Sequence, residues 1–202
     1  MDEKIILKDE HFIAQGGERI CYLHPLDNTK VIKIISPRDR VLAYNGERNL
    51  IEYKYFNFLD KLNIPFTHIT KCYSYIDTNL GEGLVFDKVY DYNGEISKTF
   101  LELVKFGNIT KEQEENLISE LKEYIIGNNI LFIDYALGNI LCCEYDKNRY
   151  KLVIIDGLGA KRCGFKFWLY LNSKIYTKYK VRVQWNRFIK RYENFKKNQV
   201  RL

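Results

Sequence analysis

Three oxygen-bearing side chains fall between residues 130 and 160 of the chain. Asp134 precedes Asn139 by five positions, and Asp156 stands immediately before Gly157. Carboxylate and amide oxygens are hard ligands that suit Mg²⁺, which takes one or two carboxylates from a protein and its other ligands from water and substrate phosphates. The three side chains therefore predict a magnesium site. Asp and Asn are also common at turns and strand ends, so a purely structural role is the alternative.

A β-hairpin is predicted to carry two of these residues. Apolar residues 140–143 and 152–155 flank a polar turn, which is the pattern of two paired strands. If the turn centres on residues 147–148, the antiparallel pairing places Asn139 opposite Asp156 at the open end of the hairpin. Opposed residues share one face of a sheet, so we expect the amide and the carboxylate to lie side by side.

The N-terminal half of the sequence predicts a five-stranded antiparallel sheet. Turn residues such as Gly16 and Gly17 separate alternating runs, and we assign strands to residues 11–15, 19–23, 30–35, 69–76 and 83–89. In the third strand Lys33 alternates with apolar residues and shares a face with its apolar neighbours at positions 31 and 35. A lysine on such a face extends to an edge or has a partner.

A helix predicted over residues 47–62 offers that partner. Glu52 lies on the apolar stripe of this helix, where a carboxylate needs a cation. A helix that follows three strands packs on their sheet, so we expect Lys33 to pair with Glu52. Glu47, nearer the helix start and off the stripe, is the second candidate.

The C-terminal half is predicted to be mostly helical. An amphipathic helix covers residues 111–127, and aromatic residues recur at helical spacing after residue 164. Residues 101–106 fit either a helix or a strand. The change of periodicity predicts an α+β protein of two lobes, residues 1–90 and 91–202.

Composition excludes several classes of protein. With 46% apolar residues the chain can form a packed core, and no apolar run is long enough to cross a bilayer. Five cysteines without a C-x-x-C spacing predict reduced thiols. The charged N-terminal segment lacks the features of a signal peptide, so we expect a cytoplasmic protein. The three histidines have no metal-ligand spacing.

Positive charge is concentrated in the C-terminal segment. Residues 166–202 contain eleven Lys and Arg but one acid, a net charge near +10 in a chain of net charge +6. We interpret this segment first as a solvated helical face, second as a surface for an anionic membrane or an acidic glycan, and third as a nucleic-acid site. No nucleic-acid motif accompanies it, which disfavours nucleic acid as a partner.

The order of these features resembles the protein-kinase-like fold. A glycine-turn hairpin, a strand lysine, a helix glutamate, a D-x4-N loop, a second hairpin and an Asp-Gly pair follow one another as they do in kinases. More narrowly, the stretches GGERICYLHPLDNTKVIKI, EYKYFNFL, GLVFDKVYDYNGEI and GNILC resemble the bacterial YrbL family, named for the PhoP regulatory network. The resemblance implies a bilobal kinase-like fold with a five-stranded N-lobe sheet and a small, mostly helical C-lobe that carries a β-hairpin.

The resemblance also implies a nucleotide site. The phosphates of ATP would contact the backbone at Gly16 and Gly17 and the side chain of Lys33, which Glu52 would hold in place. The adenine would meet the backbone of four consecutive residues, Phe86, Asp87, Lys88 and Val89. In the same way, Asp134 would be the catalytic base toward a substrate hydroxyl, and Asn139 and Asp156 would hold Mg²⁺.

The sequence departs from the kinase pattern at three points. A Gly-Gly pair replaces G-x-G-x-x-G, Ile133 stands where a basic residue normally precedes the catalytic Asp, and Gly-Leu-Gly follows Asp156 in place of Phe-Gly. Only 46 residues follow Asp156, too few for the parts of a kinase that bind peptides. We therefore expect a small molecule, a glycan or a glycolipid as acceptor.

Three hypotheses about function follow. The first is a Mg²⁺- and ATP-dependent phosphotransferase that acts on a hydroxyl of a small molecule or cell-envelope glycan. The second is a pseudokinase-like regulatory protein that binds nucleotide without turnover. The third is a basic adaptor for anionic surfaces or nucleic acid. In each case we expect a cytoplasmic protein, with peripheral attachment to the inner face of the membrane as an open alternative.

Overall fold

The computed structural model describes residues 4–36, 47–107 and 109–199, and the chain divides into two compact units. The first, here called the sheet unit, comprises Met1–Asn63, Thr70–Lys88 and Lys161–Cys163. The second, here called the helical unit, comprises Ile64–Ile69, Val89–Ala160 and Gly164–Leu202. The outer ends of the two predicted lobes lie outside the described residues, and their division at residue 90 stays a prediction.

A five-stranded antiparallel sheet forms the sheet unit, as predicted. Its strands are β1 (Phe12–Gln15), β2 (Arg19–His24), β3 (Asp27–Ile35), β4 (Cys72–Thr78) and β5 (Gly81–Asp87). They lie in the order β1-β2-β3-β5-β4, so β3 is central. Residues 31–35 of β3 are all buried, because both faces of the sheet are covered at this strand.

The two faces of the sheet have different covers. Helix α1 (Glu47–Lys61) packs on β4 and β5, and Asn49 on this helix donates a hydrogen bond to the Lys33 carbonyl at 3.5 Å. The opposite face holds an apolar core, to which the N-terminal segment contributes Ile5 and Leu7. Asn79 fixes that segment, because its side chain accepts from the Leu7 amide at 2.8 Å and donates to the Leu7 carbonyl at 3.0 Å.

Helices dominate the helical unit. The described residues form α2 (Phe100–Phe106), α3 (Lys111–Gly127), β6 (Ile140–Asp146), β7 (Arg149–Ile154), α4 (Phe165–Asn172) and α5 (Lys174–Gln199). The ambiguous residues 101–106 are helical because a capping box starts them: the Glu102 amide donates to the Thr99 hydroxyl at 3.2 Å, and the Glu102 carboxylate accepts from the Thr99 amide at 2.8 Å.

The long helix α5 is tied to the rest of the helical unit along its length. Phe188 is fully buried and contacts Phe132, and near the C-terminal end Tyr192 stacks on Phe100 at 6.0 Å. Lys196 donates to both carboxylate oxygens of Glu114 on α3, at 2.8 and 2.6 Å. In the described part of the chain, no helix combines the length and apolar character needed to cross a membrane.

Gly83 of β5 is a position where the sheet excludes any side chain. A Cβ atom there would lie 2.5 Å from Cγ2 of Ile32 and 3.3 Å from Cγ1 of Ile34, both buried. We expect Gly83→Ala to lower the free energy of unfolding by about 1–3 kcal/mol in urea denaturation, because overpacking forces neighbours off their rotamers. Gly17→Ala is the control, since no described atom would lie within 4 Å of its Cβ. Equal stability of the two variants would contradict the prediction.

Candidate functional site

The hairpin formed by β6 and β7 differs from the predicted one by one residue of register. Ile140 pairs with Ile154, and a bulge between Glu144 and Asp146 adds one residue to β6 near the turn. The Ile155 amide consequently donates to the Asn139 carbonyl at 2.9 Å. The predicted pairing of Asn139 with Asp156 is therefore wrong, because the extra residue shifts every pair beyond the bulge.

Gly157 brings Asp134 and Asp156 together by another route. Its carbonyl accepts hydrogen bonds from the amides of Ile133, at 2.8 Å, and Asp134, at 3.1 Å. Its φ is +87°, and a Cβ atom on it would lie 2.6 Å from the Asp134 carbonyl oxygen. Only glycine adopts this conformation at this distance without strain. Asp134 therefore lies against the residue that follows Asp156.

Asn139 is joined to Asp134 through its side chain. The Nδ2 atom of Asn139 donates to the Asp134 carbonyl at 3.0 Å and to its Oδ2 atom at 3.1 Å. Since this assignment commits the amide nitrogen to Asp134, the amide oxygen is the atom that would bind a cation. Asp134 is exposed, and Asn139 and Asp156 are half-buried. The three predicted residues thus lie in one solvent-accessible cluster of the helical unit.

This cluster fits Mg²⁺ better than a metal bound by thiolate or imidazole. It offers two carboxylates and one amide oxygen, and Mg²⁺ takes its remaining ligands from water and phosphates. Among the described residues no group of three or more His, Cys, Asp and Glu could hold a metal ion. Burial raises the pKa of the Cys142 thiol, three residues after Asn139, to about 12, which favours the protonated thiol in the metal-free protein. Binding of Mg²⁺ by Asn139 and Asp156 stays a prediction.

A second cluster of charges is buried in the sheet unit around Glu52. The Glu52 side chain is 1% exposed, as expected from its place on the apolar stripe of α1. Its Oε2 atom accepts from Nη1 of Arg19 at 2.7 Å, and its Oε1 atom accepts from Nη2 of Arg48 at 3.1 Å. A buried carboxylate held by two guanidinium groups is compensated and fixed in orientation.

Lys33 lies in the same region of the sheet unit. Its ammonium is 4.3 Å from the centre of the Phe86 ring, a cation–π contact. Burial and then the charge of Glu52 raise the pKa of the buried Cys72 thiol to about 12, and the charges of Lys33 and Arg19 oppose the rise. Glu52, Lys33 and Arg19 therefore lie within electrostatic range of one thiol. Direct pairing of Lys33 with Glu52 stays a prediction.

Two members of this cluster were missed in the sequence. Arg19 is two positions before Cys21, which pairs with Lys33, so strand alternation puts Arg19 and Lys33 on one face. Arg48 precedes Glu52 by four residues, the spacing at which helical side chains meet. Both patterns, strand alternation and the i,i+4 spacing, are visible in the sequence. Glu47, the second candidate partner for Lys33, accepts from the Cys163 amide at 3.1 Å, and its pairing with Lys33 stays a prediction.

The other predicted nucleotide residues lie in the strands of the same sheet or next to them. Gly16 and Gly17 are exposed in the turn after β1, where the Gly16 amide donates to the Arg19 carbonyl at 2.8 Å. The amides of Asp87 and Lys88 already donate to the carbonyls of Lys71, at 3.0 Å, and Thr29, at 2.8 Å. Adenine at this segment would use other backbone groups.

Phe86 and Val89 also make contacts within the fold. Phe86 ends the buried part of β5, where it pairs with Val31 and Cys72 and packs edge-on against Phe56 at 5.8 Å. The Val89 carbonyl accepts from the Ser97 amide at 3.4 Å. The adenine-binding role of residues 86–89 stays a prediction.

A family model settles the relationship suggested by the sequence stretches. The model described as "PhoP regulatory network protein YrbL" matches residues 5–193. The chain belongs to this YrbL family. Two relatives bear the name "Uncharacterized protein YrbL", one from Escherichia coli (strain K12) and one from Shigella flexneri; each is 27% identical over 158 residues, which cover 77% of this chain and 73% of the relative.

A solved structure identifies the fold of this YrbL-family chain. The crystal structure of Rad53 1-466 in complex with AMP-PNP matches it with a TM-score of 0.52 and 18% identity, over 75% of this chain and 38% of that chain. At this identity the match shows the fold alone. Together with the five-stranded sheet, it confirms the predicted protein-kinase-like fold.

Gly157 is the residue of the cluster that tolerates substitution least. In this YrbL-family chain, we expect Gly157→Ala to lower the free energy of unfolding by about 3 kcal/mol, since it adds backbone strain at positive φ and a clash with Asp134. Urea denaturation measures the loss. Gly138→Ala, one residue before Asn139, is the control, because no described atom would lie within 4 Å of its Cβ. If both variants lose the same small amount, the packing of residue 157 on residue 134 is not the constraint described.

The Glu52 carboxylate is a buried charge that binds both Arg19 and Arg48. We expect Glu52→Gln to cost about 3–5 kcal/mol of unfolding free energy, because a buried ion pair loses one of its charges while the other stays out of water. The exposed Glu82 on β5 provides the control Glu82→Gln, which we expect to change stability by less than about 1 kcal/mol. Equal effects of the two substitutions in thermal or urea unfolding would contradict the role of Glu52.

Proposed function

We propose that this YrbL-family protein is a phosphotransferase that uses Mg²⁺ and ATP and acts on a hydroxyl of a small molecule, glycan or glycolipid. The observation that carries the proposal is the bond from the Asn139 amide to Asp134, whose backbone amide also bonds to Gly157, the residue after Asp156. These are the residue types that a kinase-like fold uses for proton transfer and metal binding.

The sheet unit would bind the nucleotide. Lys33 would contact the α- and β-phosphates, and Gly16 and Gly17 would let backbone amides approach them closely. Glu52 would orient the cations of this region, as its bonds to Arg19 and Arg48 already do. The match to Rad53, whose structure contains AMP-PNP, supports ATP as the nucleotide class.

The helical unit would carry the chemistry. The oxygen of the acceptor hydroxyl would attack the γ-phosphorus, its proton would pass to the Asp134 carboxylate, and the bond from the γ-phosphorus to the bridging oxygen would break to release ADP. Asn139 would keep the Asp134 carboxylate in one orientation through its Nδ2 atom. Mg²⁺ held by Asn139 and Asp156 would neutralise phosphate charge, and the donor set of the cluster fits that ion.

The segment after Asp156 supports a small or glycan acceptor. Helix α4 begins at Phe165, so only residues 158–164 connect it to the Asp-Gly pair. A connection this short does not form the extended activation segment that binds peptides in protein kinases.

The proposed use of ATP and five cysteines that form no disulfide support a cytoplasmic site of action. The basic C-terminal segment supports attachment to the inner face of the membrane.

Thermal unfolding with and without Mg²⁺ and ATP tests nucleotide binding. We expect the melting temperature to rise by about 5–10 °C at a hundredfold excess over Kd, because a ligand that binds only the folded state stabilises it. Asp156→Ala should abolish the rise, while Asp146→Asn in the exposed hairpin turn should preserve it. Absence of a shift in the unmodified protein would refute the proposal.

Asp134→Asn separates catalysis from binding. We expect this variant to retain the nucleotide-dependent rise in melting temperature and to lose about 100-fold or more in ADP release with an accepted hydroxyl substrate, because the proton acceptor is gone. Equal ADP release by Asp134→Asn and the unmodified protein, despite intact nucleotide binding, would favour the second hypothesis. In that hypothesis the protein is regulatory and binds nucleotide without turnover. It draws support from Arg19 and Arg48, because they bind Glu52, the residue expected to hold Lys33 in place.

A further inference from the structure

Four large apolar side chains are exposed within fifteen residues of the helical unit. On α4, Phe165 is 72% and Trp168 is 55% exposed; at the start of α5, Ile175 is 86% and Tyr179 is 64% exposed. Single exposed apolar residues are normal on a protein surface, but a local concentration of large ones marks a contact site. We call these four residues the apolar anchors.

The apolar anchors are held outward by the packing of their helices. Phe165 and Trp168 stack on each other at 5.8 Å with nearly parallel rings. Ile175 and Tyr179 are one helical turn apart, and the opposite side of α5 is buried through Val181 and Phe188. Rotation of α5 to cover the anchors would expose this buried side, so the anchors face outward in the folded protein.

The same two helices carry an excess of positive charge. Residues 164–192 contain eight Lys and Arg and no Asp or Glu. Partial burial and then the charges of Arg187 and Lys166 lower the pKa of Lys180, so cations from α4 and α5 are close enough to repel one another. A surface of this charge attracts anions and disfavours basic partners.

We propose that the surface formed by α4 and the first half of α5 binds the interface of an anionic lipid bilayer. The apolar anchors would enter the boundary between headgroups and acyl chains, and cations such as Lys178 and Arg182 would contact lipid phosphates. Trp and Tyr suit this boundary, because their rings are apolar and their N–H and O–H groups remain hydrated. The surface is independent of the phosphotransfer proposed above.

A lipid surface explains the anchors better than a nucleic acid does. Ile175 is the most exposed anchor and has no aromatic face on which a base could stack. The mutual stacking of Phe165 and Trp168 occupies one face of each ring. Insertion of apolar side chains into a bilayer requires neither free ring faces nor a groove, so both observations favour lipid.

Binding is testable with vesicles and the intrinsic fluorescence of the full chain. The chain has two tryptophans, Trp168 and the 5%-exposed Trp185, so insertion of Trp168 should shift the emission to shorter wavelength while Trp185 reports the fold. We expect co-sedimentation and this shift with vesicles that contain phosphatidylglycerol in phosphatidylcholine, weakened by salt, and neither with phosphatidylcholine alone. No binding to anionic vesicles at low ionic strength would overturn the proposal.

Two pairs of substitutions test the anchors and the charges separately. Phe165→Ser with Trp168→Ser should weaken vesicle binding at least about tenfold, since apolar insertion is lost. Lys178→Gln with Arg182→Gln should weaken it roughly 25-fold, about fivefold for each charge removed. Phe106→Ser, at a residue that is 70% exposed on α2, and Lys122→Gln on α3 are the matched controls and should change nothing.

The remaining outcomes are equally decisive. Equal effects of the controls and the test substitutions would show that binding is not localised to α4 and α5, which would overturn the proposal. A polynucleotide that binds the protein while anionic vesicles do not would assign the surface to nucleic acid instead. Nucleotide-dependent stabilisation is measured without vesicles, so a failure here leaves the proposed phosphotransfer standing, and the reverse also holds.

Discussion

The close approach of Gly157 to Asp134 is the constraint on which the candidate site depends. A single carbonyl accepts two successive amides, at 2.8 and 3.1 Å, and this fixes the loop before the hairpin against the residues that follow it. The arrangement needs a residue with positive φ and no side chain. Asp134 then lies where the Asn139 side chain can donate to its carbonyl and its carboxylate, so two backbone bonds and two side-chain bonds position Asp134.

The sheet unit uses buried charge for a comparable purpose. Glu52 binds Arg19 on a strand, which links α1 to the sheet, and Arg48 on its own helix. Buried ion pairs add little net stability, because desolvation offsets the attraction, but removal of one partner is costly. The contribution of this cluster is therefore to the orientation of Glu52, Arg19 and Arg48 more than to net stability. A nucleotide phosphate near Lys33 would meet an electropositive region that exists before the ligand arrives, which reduces the reorganisation that binding requires.

Sequence patterns predicted the strands, the helices and the grouping of Asp134 with Asn139, because alternation, helical spacing and loop residues are local signals. The register of the hairpin was not predictable in this way. A bulge near Tyr145 inserts one residue into β6, and no residue type in this segment predicts a bulge. Arg19 and Arg48 were missed because Lys33 was already the predicted partner of Glu52, although strand alternation and the i,i+4 spacing pointed to both. The ambiguity at residues 101–106 was avoidable, since Thr99 and Glu102 form a capping box that is visible in the sequence.

The contacts of the N-terminal segment affect how the protein folds during its synthesis. Leu7 lies against one face of the sheet and is bound by Asn79, 72 residues later, and β3 lies between β2 and the much later β5. During synthesis the first three strands therefore emerge with an uncovered apolar face, and the sheet closes only once β5 has left the exit tunnel. A nascent chain of this design therefore exposes that apolar face to aggregation until β5 pairs with β3.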